Sequence, residues 1–582
     1  LKKLVTYLFF STLLLPVTAQ YYLRGQVFDE KKSPLVGAKI LVHSEKKFVQ
    51  AGDQGGFGIT VRKAQDSLTI TMDGFEPLAV SVRTDQWQTL VLKPTADAVS
   101  KYHPKLASYT RDYTGSTQSK TFSGDETYFQ LVENDVIRTR EFPNTGYSLN
   151  VNKASYSNTR RFLNQSVFVP EDAIRIEEMV NYFDLFYRQP PPKEAFDLRT
   201  QLTSCPWNKE KQLLYVQVSA QKMDTSKVPP GNYVFLIDVS GSMDMPNRLP
   251  LIKASFQLFV KNLRNTDTVT IITYGGYVEE WLKPTSGREK DKIIQAIEKL
   301  EASGDTPGEA GLKMAYTSAQ RTFIRNGNNR IILATDADFN VGETSEKALD
   351  DLVTNQRSSG IYLTCLGVGM GNLKDSKLQT LAKKGNGNYA YLDDFEEAER
   401  VLVKEISQTL YTIADDAYVS VQFHPAVVDN YRLIGFDNKK DAISDGNLIV
   451  EGGEVGSGSS ILAVFEVQAK PAAPDALLAH LQLHYSPKGD TSTLTRSFSI
   501  PNRFLPMDSI HPDLRFATAV TSFSLKLKRS KYYKDQSWAD IKKLAQLSLA
   551  GENQFLKQEF IGLIDKAQKV YGKKMNKKRP TY

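Results

Sequence analysis

Tyr233-Val-Phe-Leu-Ile-Asp-Val-Ser-Gly-Ser-Met243 runs from an unbroken apolar stretch straight into an aspartate and a turn. An apolar run of this length, ended by a turn, reads as a strand buried on both faces. Outward from it, residues 232–412 alternate further apolar strands at 268–274, 330–335 and 361–368 with helices near 249–263, 287–301, 308–325, 345–358 and 373–384. The first of those helices places Ile252, Phe256, Phe259 and Leu263 on one face. Continuous apolar strands separated by amphipathic helices predict a doubly wound, Rossmann-like α/β unit with a largely parallel sheet covered on both sides. Such sheets bind ligands beyond the carboxyl ends of their strands.

Asp238, Ser240 and Ser242 stand at alternate positions of the loop after that strand. Their side chains are all oxygen donors, a set suited to Mg²⁺, Mn²⁺ or Ca²⁺ rather than to zinc or copper. Alone, Asp-x-Ser-x-Ser is a weak pattern. Thr306 adds a hydroxyl at the start of the helix near 308–325, and Asp336 ends the strand Arg330-Ile-Ile-Leu-Ala-Thr335, so both are expected on the same sheet edge.

These five residues on an α/β unit resemble the metal-ion-dependent adhesion site of von Willebrand factor type A domains. The resemblance implies Ser240, Ser242 and Thr306 as cation ligands, with Asp238 and Asp336 binding mostly through water. An open position would then accept an acidic group from a partner, with surrounding loops such as 243–248 and 275–281 supplying specificity. Ile176-Glu-Glu-Met-Val-Asn-Tyr-Phe183, Ser204-Cys-Pro-Trp-Asn208, Thr335-Asp-Ala-Asp-Phe-Asn-Val-Gly342 and Lys384-Gly-Asn-Gly-Asn-Tyr-Ala-Tyr391 extend the likeness to exported bacterial proteins with dedicated flanking regions. Two departures stand out: Ala337 replaces the usual glycine, and Asn150-Val-Asn152-Lys153 replaces a stretch usually bearing Asp.

The chain of 582 residues has room for three or four cores. Residues 1–19 read as a cleaved export signal: Lys2 and Lys3, an apolar run over 4–17, and Val17-Thr18-Ala19 before Gln20. Residues 20–94 carry short strands punctuated by Pro34, Gly37, Gly55-Gly56 and Gly74, which predicts a small β-sandwich. Arg24-Gly25-Gln-Val27, Pro34-Leu-Val-Gly-Ala38 and Gly52-Asp-Gln-Gly-Gly-Phe57 make it similar to the carboxypeptidase regulatory-like, transthyretin-like module, which implies binding or spacing without catalysis. Residues 95–125 read as a polar linker. A flanking region follows at 126–231, with helices at 155–163 and 171–183. Beyond the α/β unit come a β-rich region at 413–505, a helical region at 506–572 with helices near 512–528 and 536–571, and a basic tail at 573–582. The stretches before 232 and after 415 are candidates for a single β-domain interrupted by the α/β unit.

Net charge is +7. Lys2, Lys3 and the five cations after residue 572 account for all of it, so residues 21–572 are neutral and give no basic surface for nucleic acid. His480 and His484 alternate with Leu481, Leu483 and Tyr485 as on a half-buried strand, where residues four apart lie about 13 Å from each other and cannot share a metal. Gly456-Ser-Gly-Ser-Ser460 lacks the order of a nucleophile elbow and reads as a hairpin turn. Cys205 and Cys365 are expected as free thiols, the second inside a buried strand. No general base stands beside the oxygen cluster, so no catalytic residue is assigned.

The expectation is a non-enzymatic, divalent-cation-dependent protein-binding protein of the bacterial periplasm or cell surface. It has no membrane span once the signal is removed, and a partner's Asp or Glu completes the metal shell. The rival is a scaffold or regulatory subunit of an envelope complex.

Overall fold

The computed structural model describes residues 21–93 and 126–572, apart from 31, 33, 36, 53–54, 73–74, 130–131, 225–227, 305–307, 337–352, 354–358, 441–442, 444–451, 489–491, 535 and 550–552. The export signal, the linker, Thr306, Ala337, most of the 345–358 helix and the basic tail lie outside the described residues. The chain divides near residue 105 into two compact units.

The first unit contains β1 (Tyr21–Asp29), β2 (Lys39–Val42), β3 (Lys47–Gln50), β4 (Gly56–Val61), β5 (Gln65–Thr71), β6 (Leu78–Arg83) and β7 (Trp87–Leu92). They form sheets of order β4-β1-β7 and β3-β2-β5-β6. Period-two alternation turns Leu23 and Val27 of one sheet and Ile40, Leu68 and Ile70 of the other into one apolar cluster, as in a β-sandwich.

In the second unit the α/β domain is an insertion. Before it come β8 (Ile137–Arg138), β9 (Asn144–Ser148), α1 (Ala154–Asn164), α2 (Ile176–Asn181), β10 (Phe196–Ser204) and β11 (Gln212–Ala220). The inserted domain has β12 (Gly231–Asp238), α3 (Leu249–Lys261), β13 (Thr268–Gly275), β14 (Tyr277–Ser286), α4 (Lys290–Glu298), α5 (Gly308–Arg321), β15 (Asn328–Thr335), β16 (Ile361–Gly367), α6 (Asp375–Lys384), β17 (Tyr389–Tyr391), α7 (Phe395–Glu399) and α8 (Ile406–Leu410). After it come β18 (Thr412–Phe423), β19 (Val428–Ile434), β20 (Gly453–Gly456), β21 (Ser460–Ala469), β22 (Leu477–Pro487), β23 (Leu494–Pro501), α9 (Pro512–Leu527), α10 (Trp538–Gln546) and α11 (Gln554–Gly572).

Strands from both sides of the insertion share sheets. One sheet has the order β10-β11-β21-β19-β8, and a second has β20-β18-β22-β23 with β9 also on β18. Their facing sides form one core that includes Tyr147, Val216, Val421, Phe465 and Leu481. The outer face of the first sheet, through Leu213, Tyr215, Leu462 and Val464, packs against α1, α2 and α9–α11. The regions before and after the α/β unit are thus layers of one body.

The inserted sheet has the order β14-β13-β12-β15-β16-β17. All its pairings are parallel except β13–β14. β12 feeds both faces in alternation: Tyr233, Phe235 and Ile237 join α3 and α4, while Val234 and Leu236 join α5 and α6. Phe235 stacks on Phe256 with centroids 4.3 Å apart. Burying a side chain of this size contributes about 1.5–3 kcal/mol.

Four local readings change. Residues 275–281, expected as a loop, turn at the positive-φ Gly276 and enter edge strand β14. The helix expected over 171–183 is a 3₁₀ turn at Glu171–Ala173, then extended backbone at Ile174 and Arg175, then α2. That break lets Arg175 reach Asp375 of the α/β domain. The helix expected over 536–571 is two, α10 and α11. The 456–460 turn is no hairpin, because β20 and β21 belong to different sheets.

Candidate metal centre

β12 delivers Asp238 to the carboxyl edge of the sheet, fully buried. Its Oδ1 accepts the Ser240 amide at 2.9 Å and the Ser240 hydroxyl at 2.6 Å, and its Oδ2 accepts Thr335 Oγ1 at 2.8 Å. A 3₁₀ turn over Gly241–Met243 then brings Ser242 Oγ to 3.1 Å from Ser240 Oγ. Three of the expected residues therefore share one hydrogen-bonded cluster.

Neighbouring loops hold this turn by backbone contacts. The Ser303 amide donates to Val239 O at 2.7 Å, and the Gly241 amide donates to Gly304 O at 3.0 Å. Gly304, at φ +76°, lies so close to Gly276 that a Cβ on it would sit 2.5 Å from the Gly276 nitrogen. Only glycine accommodates that approach. The segment leading to Thr306 is thus anchored on the Asp238 loop, while Thr306 itself lies outside the described residues.

Asp336 follows β15 on the same edge and is also fully buried. Its Oδ2 accepts Arg248 Nη1 at 2.5 Å and Asn372 Nδ2 at 3.1 Å. Arg248 Nη1 also donates to Ser242 O at 2.6 Å, and Nη2 donates to Met370 O and Asn372 Oδ1, both at 2.9 Å. Arg248 and Asn372 were not among the expected site residues. One sequence signal did exist for Arg248: a cation immediately before a helix opposes the helix dipole and calls for an acidic partner.

The electrostatics of the two aspartates differ. Asp336 is answered by a guanidinium. Asp238 accepts from hydroxyls and an amide, and burial pushes its carboxyl up to about 6. The donor chemistry fits a hard divalent cation: Ser240 and Ser242 supply hydroxyl oxygens, and the Asp238 carboxylate behind them gains from any positive charge placed there. Among the described residues no group of three or more His, Cys, Asp and Glu side chains is arranged to hold a metal.

The remaining sequence candidates fall elsewhere. His480 is exposed on the outer face of β22, and His484 stacks on Tyr418 with centroids 4.4 Å apart. Cys205 and Cys365 are free and buried, and burial raises both thiols, Cys205 to about 12.

Three family models match the second unit: "von Willebrand factor" over residues 122–215, "von Willebrand factor type A domain" over 232–407, and "Uncharacterized protein YfbK, C-terminal" over 408–570. The uncharacterized protein YfbK of Escherichia coli (strain K12) is 38% identical over 474 residues, covering 77% of this chain and 82% of that protein. The chain belongs to the YfbK family of von Willebrand factor type A proteins. Within this YfbK-family chain, similarity to the human inter-alpha-trypsin inhibitor heavy chain H4 is 26% over 216 residues, covering 35% of the chain and 23% of that protein. A solved von Willebrand factor type A protein from Catenulispora acidiphila is 13% identical, with TM-score 0.40, over 68% of this chain and 93% of that one. No helix among the described residues is long and apolar enough to cross a membrane.

Proposed function

We propose that this YfbK-family chain is an exported bacterial envelope protein, not an enzyme, that binds a protein partner through a divalent cation. Asp238, Ser240 and Ser242, together with Thr306 and Asp336, would hold Mg²⁺, Mn²⁺ or Ca²⁺. When bound, the cation supplies an electron-poor position for an Asp or Glu of the partner. The observation that carries this reading is the convergence of the Ser240 and Ser242 hydroxyls at 3.1 Å beside a buried carboxylate that meets no cation among the described residues. Exposed Met245 and Tyr277 flank the same edge and offer apolar contacts to a partner. The N-terminal β-sandwich fits a carboxypeptidase regulatory-like spacer, and the basic tail a solvated end.

The test is capture of an envelope partner by the full chain in Mg²⁺, in EDTA, and with Ser240→Ala or Asp238→Ala. Capture is expected only by the wild type in Mg²⁺. Undiminished capture in all three other conditions overturns the reading. The second reading, a regulatory subunit of an envelope complex, is favoured by the insertion of the α/β domain into a body to which it is heavily ion-paired. One stoichiometric complex in the capture would support it.

A further inference from the structure

The 369–372 loop after β16 touches both the candidate centre and the flanking region. On one side Met370 O and Asn372 Oδ1 accept from Arg248 Nη2, whose Nη1 holds Asp336 Oδ2 and Ser242 O. On the other side the Gly371 amide donates to Glu126 Oε1 at 2.7 Å. Glu126 lies outside the α/β domain. It is fixed by Arg161 of α1, with Nη1 to Oε1 at 2.8 Å and Nη2 to Oε2 at 3.0 Å, and by the Tyr128 hydroxyl at 2.8 Å. Next to it, the Thr127 amide donates across to Leu373 O at 3.0 Å. Gly369 and Gly371 both sit at positive φ, a backbone that side-chain-bearing residues rarely adopt. Gly369 also packs directly on the arginine: a Cβ there would lie 2.5 Å from Arg248 Nε.

Arg248 therefore spends both guanidinium Nη groups on three converging loops, which makes it a clamp rather than a group that greets a ligand. We propose that Arg248 and Glu126 are positioning residues of the metal centre: the flanking region holds the 369–372 loop, the loop holds the guanidinium, and the guanidinium orients Asp336 and the Ser242 turn. The centre is then incomplete in the α/β domain alone. This rests on reading Asp238, Ser240 and Ser242 as a cation site.

The experiment follows Mn²⁺ binding to the full chain by calorimetry and by electron paramagnetic resonance, with hydrogen exchange of the 366–374 segment in metal-free protein. Wild type is expected to bind Mn²⁺ and Ser240→Ala to lose it. Glu126→Ala is expected to weaken binding about three- to thirtyfold, a range typical of coupling carried through intervening residues. Arg248→Gln should weaken it at least as much, Arg248→Lys should not rescue it because the planar fork is lost, and the double variant should be no worse than the weaker single. Glu126→Gln, which keeps shape and the acceptor for Gly371, should fall between wild type and Glu126→Ala and serves if the alanine variant folds poorly. Exchange in the 366–374 segment should quicken in each positioning variant before any metal is added. If Glu126 variants bind Mn²⁺ like wild type and exchange at the same rate while Ser240→Ala loses the ion, the positioning role is overturned and the cation site stands. If Ser240→Ala binds Mn²⁺ like wild type, the cation site falls and the positioning role with it.

Discussion

Two of the places where the α/β domain buries charge are treated differently. Where it meets the flanking body, most of the buried acids find a cation within the chain. Arg160 contacts Asp393, Glu397 and Glu559, Arg175 lies between Glu178 and Asp375, Arg161 holds Glu126, and Lys153 holds Asp184 and Glu405. Burial alone would raise the Glu397 carboxyl, yet Arg400 and Arg160 hold it well below the usual range. Glu178 beside Arg175 and Asp393 beside Arg160 are still raised by burial, so at the junction the difference from the sheet edge is the cation present and not the direction of every shift. At the carboxyl edge of the sheet, Asp238 is as deeply buried and, among the described residues, is met by hydroxyls and an amide with no cation, so burial wins and its carboxyl rises. Equal burial with unequal compensation separates a junction that is finished from a site that gains by taking up positive charge.

The largest expected effect is at the junction. Arg175→Ala leaves Glu178 and Asp375 buried without their shared cation, and should cost about 3–5 kcal/mol in denaturant unfolding of the full chain. A loss below about 1 kcal/mol would show that water reaches those carboxylates and that the junction is not dry.

The next effect is at the sheet edge and has the opposite sign. Mg²⁺ at a hundredfold excess over its dissociation constant should stabilise the wild type by about 2.7 kcal/mol. Ser240→Ala should gain almost nothing from the same addition. In EDTA, Asp238→Asn should be more stable than wild type by about 1–3 kcal/mol, since it replaces an uncompensated buried charge with a neutral amide that keeps the acceptor for Ser240. A destabilised asparagine variant would mean that Asp238 is compensated in the metal-free chain, and the contrast with the junction would disappear.

The sheet edge was easier to read from sequence than the junction, for a physical reason. Asp238, Ser240 and Ser242 are neighbours in the chain, and an apolar run with a turn after it is local information. β12, α3, β15 and β16 were legible in the same way. β14 was not, because an antiparallel edge strand with Glu279, Glu280 and Lys283 lacks the apolar continuity of its neighbours. Nor was the pairing of β11 with β21, or of β9 with β18, since those partners are more than two hundred residues apart and pairing leaves no mark in either strand's own pattern. The junction depends on such distant encounters: Arg160 reaches acids 233 and 399 residues away in sequence. Arg248 lies between these cases, visible as a misplaced cation at a helix start although its partner is 88 residues on.

The smallest expected effect sits where the two regions meet, at Glu126. Burial would raise its carboxyl, but the Arg161 hydrogen bonds and charge, with the Gly371 amide, hold it below its ordinary value of 4.5. A folded-state value below the unfolded one contributes stability that is present above the ordinary value and is lost as pH falls through the lowered one. At pH 7, Glu126→Gln should therefore be less stable than wild type by about 1.5–3 kcal/mol, the range for a hydrogen bond to a charged group. The two should converge as the pH drops below 4.5, where wild type takes up the proton that the glutamine already mimics. Parallel stability curves across that window would mean that the charge on Glu126 contributes nothing, leaving the 369–372 loop held by backbone contacts alone. The residue that ties the unfinished edge to the finished junction would then be acting by shape and not by charge.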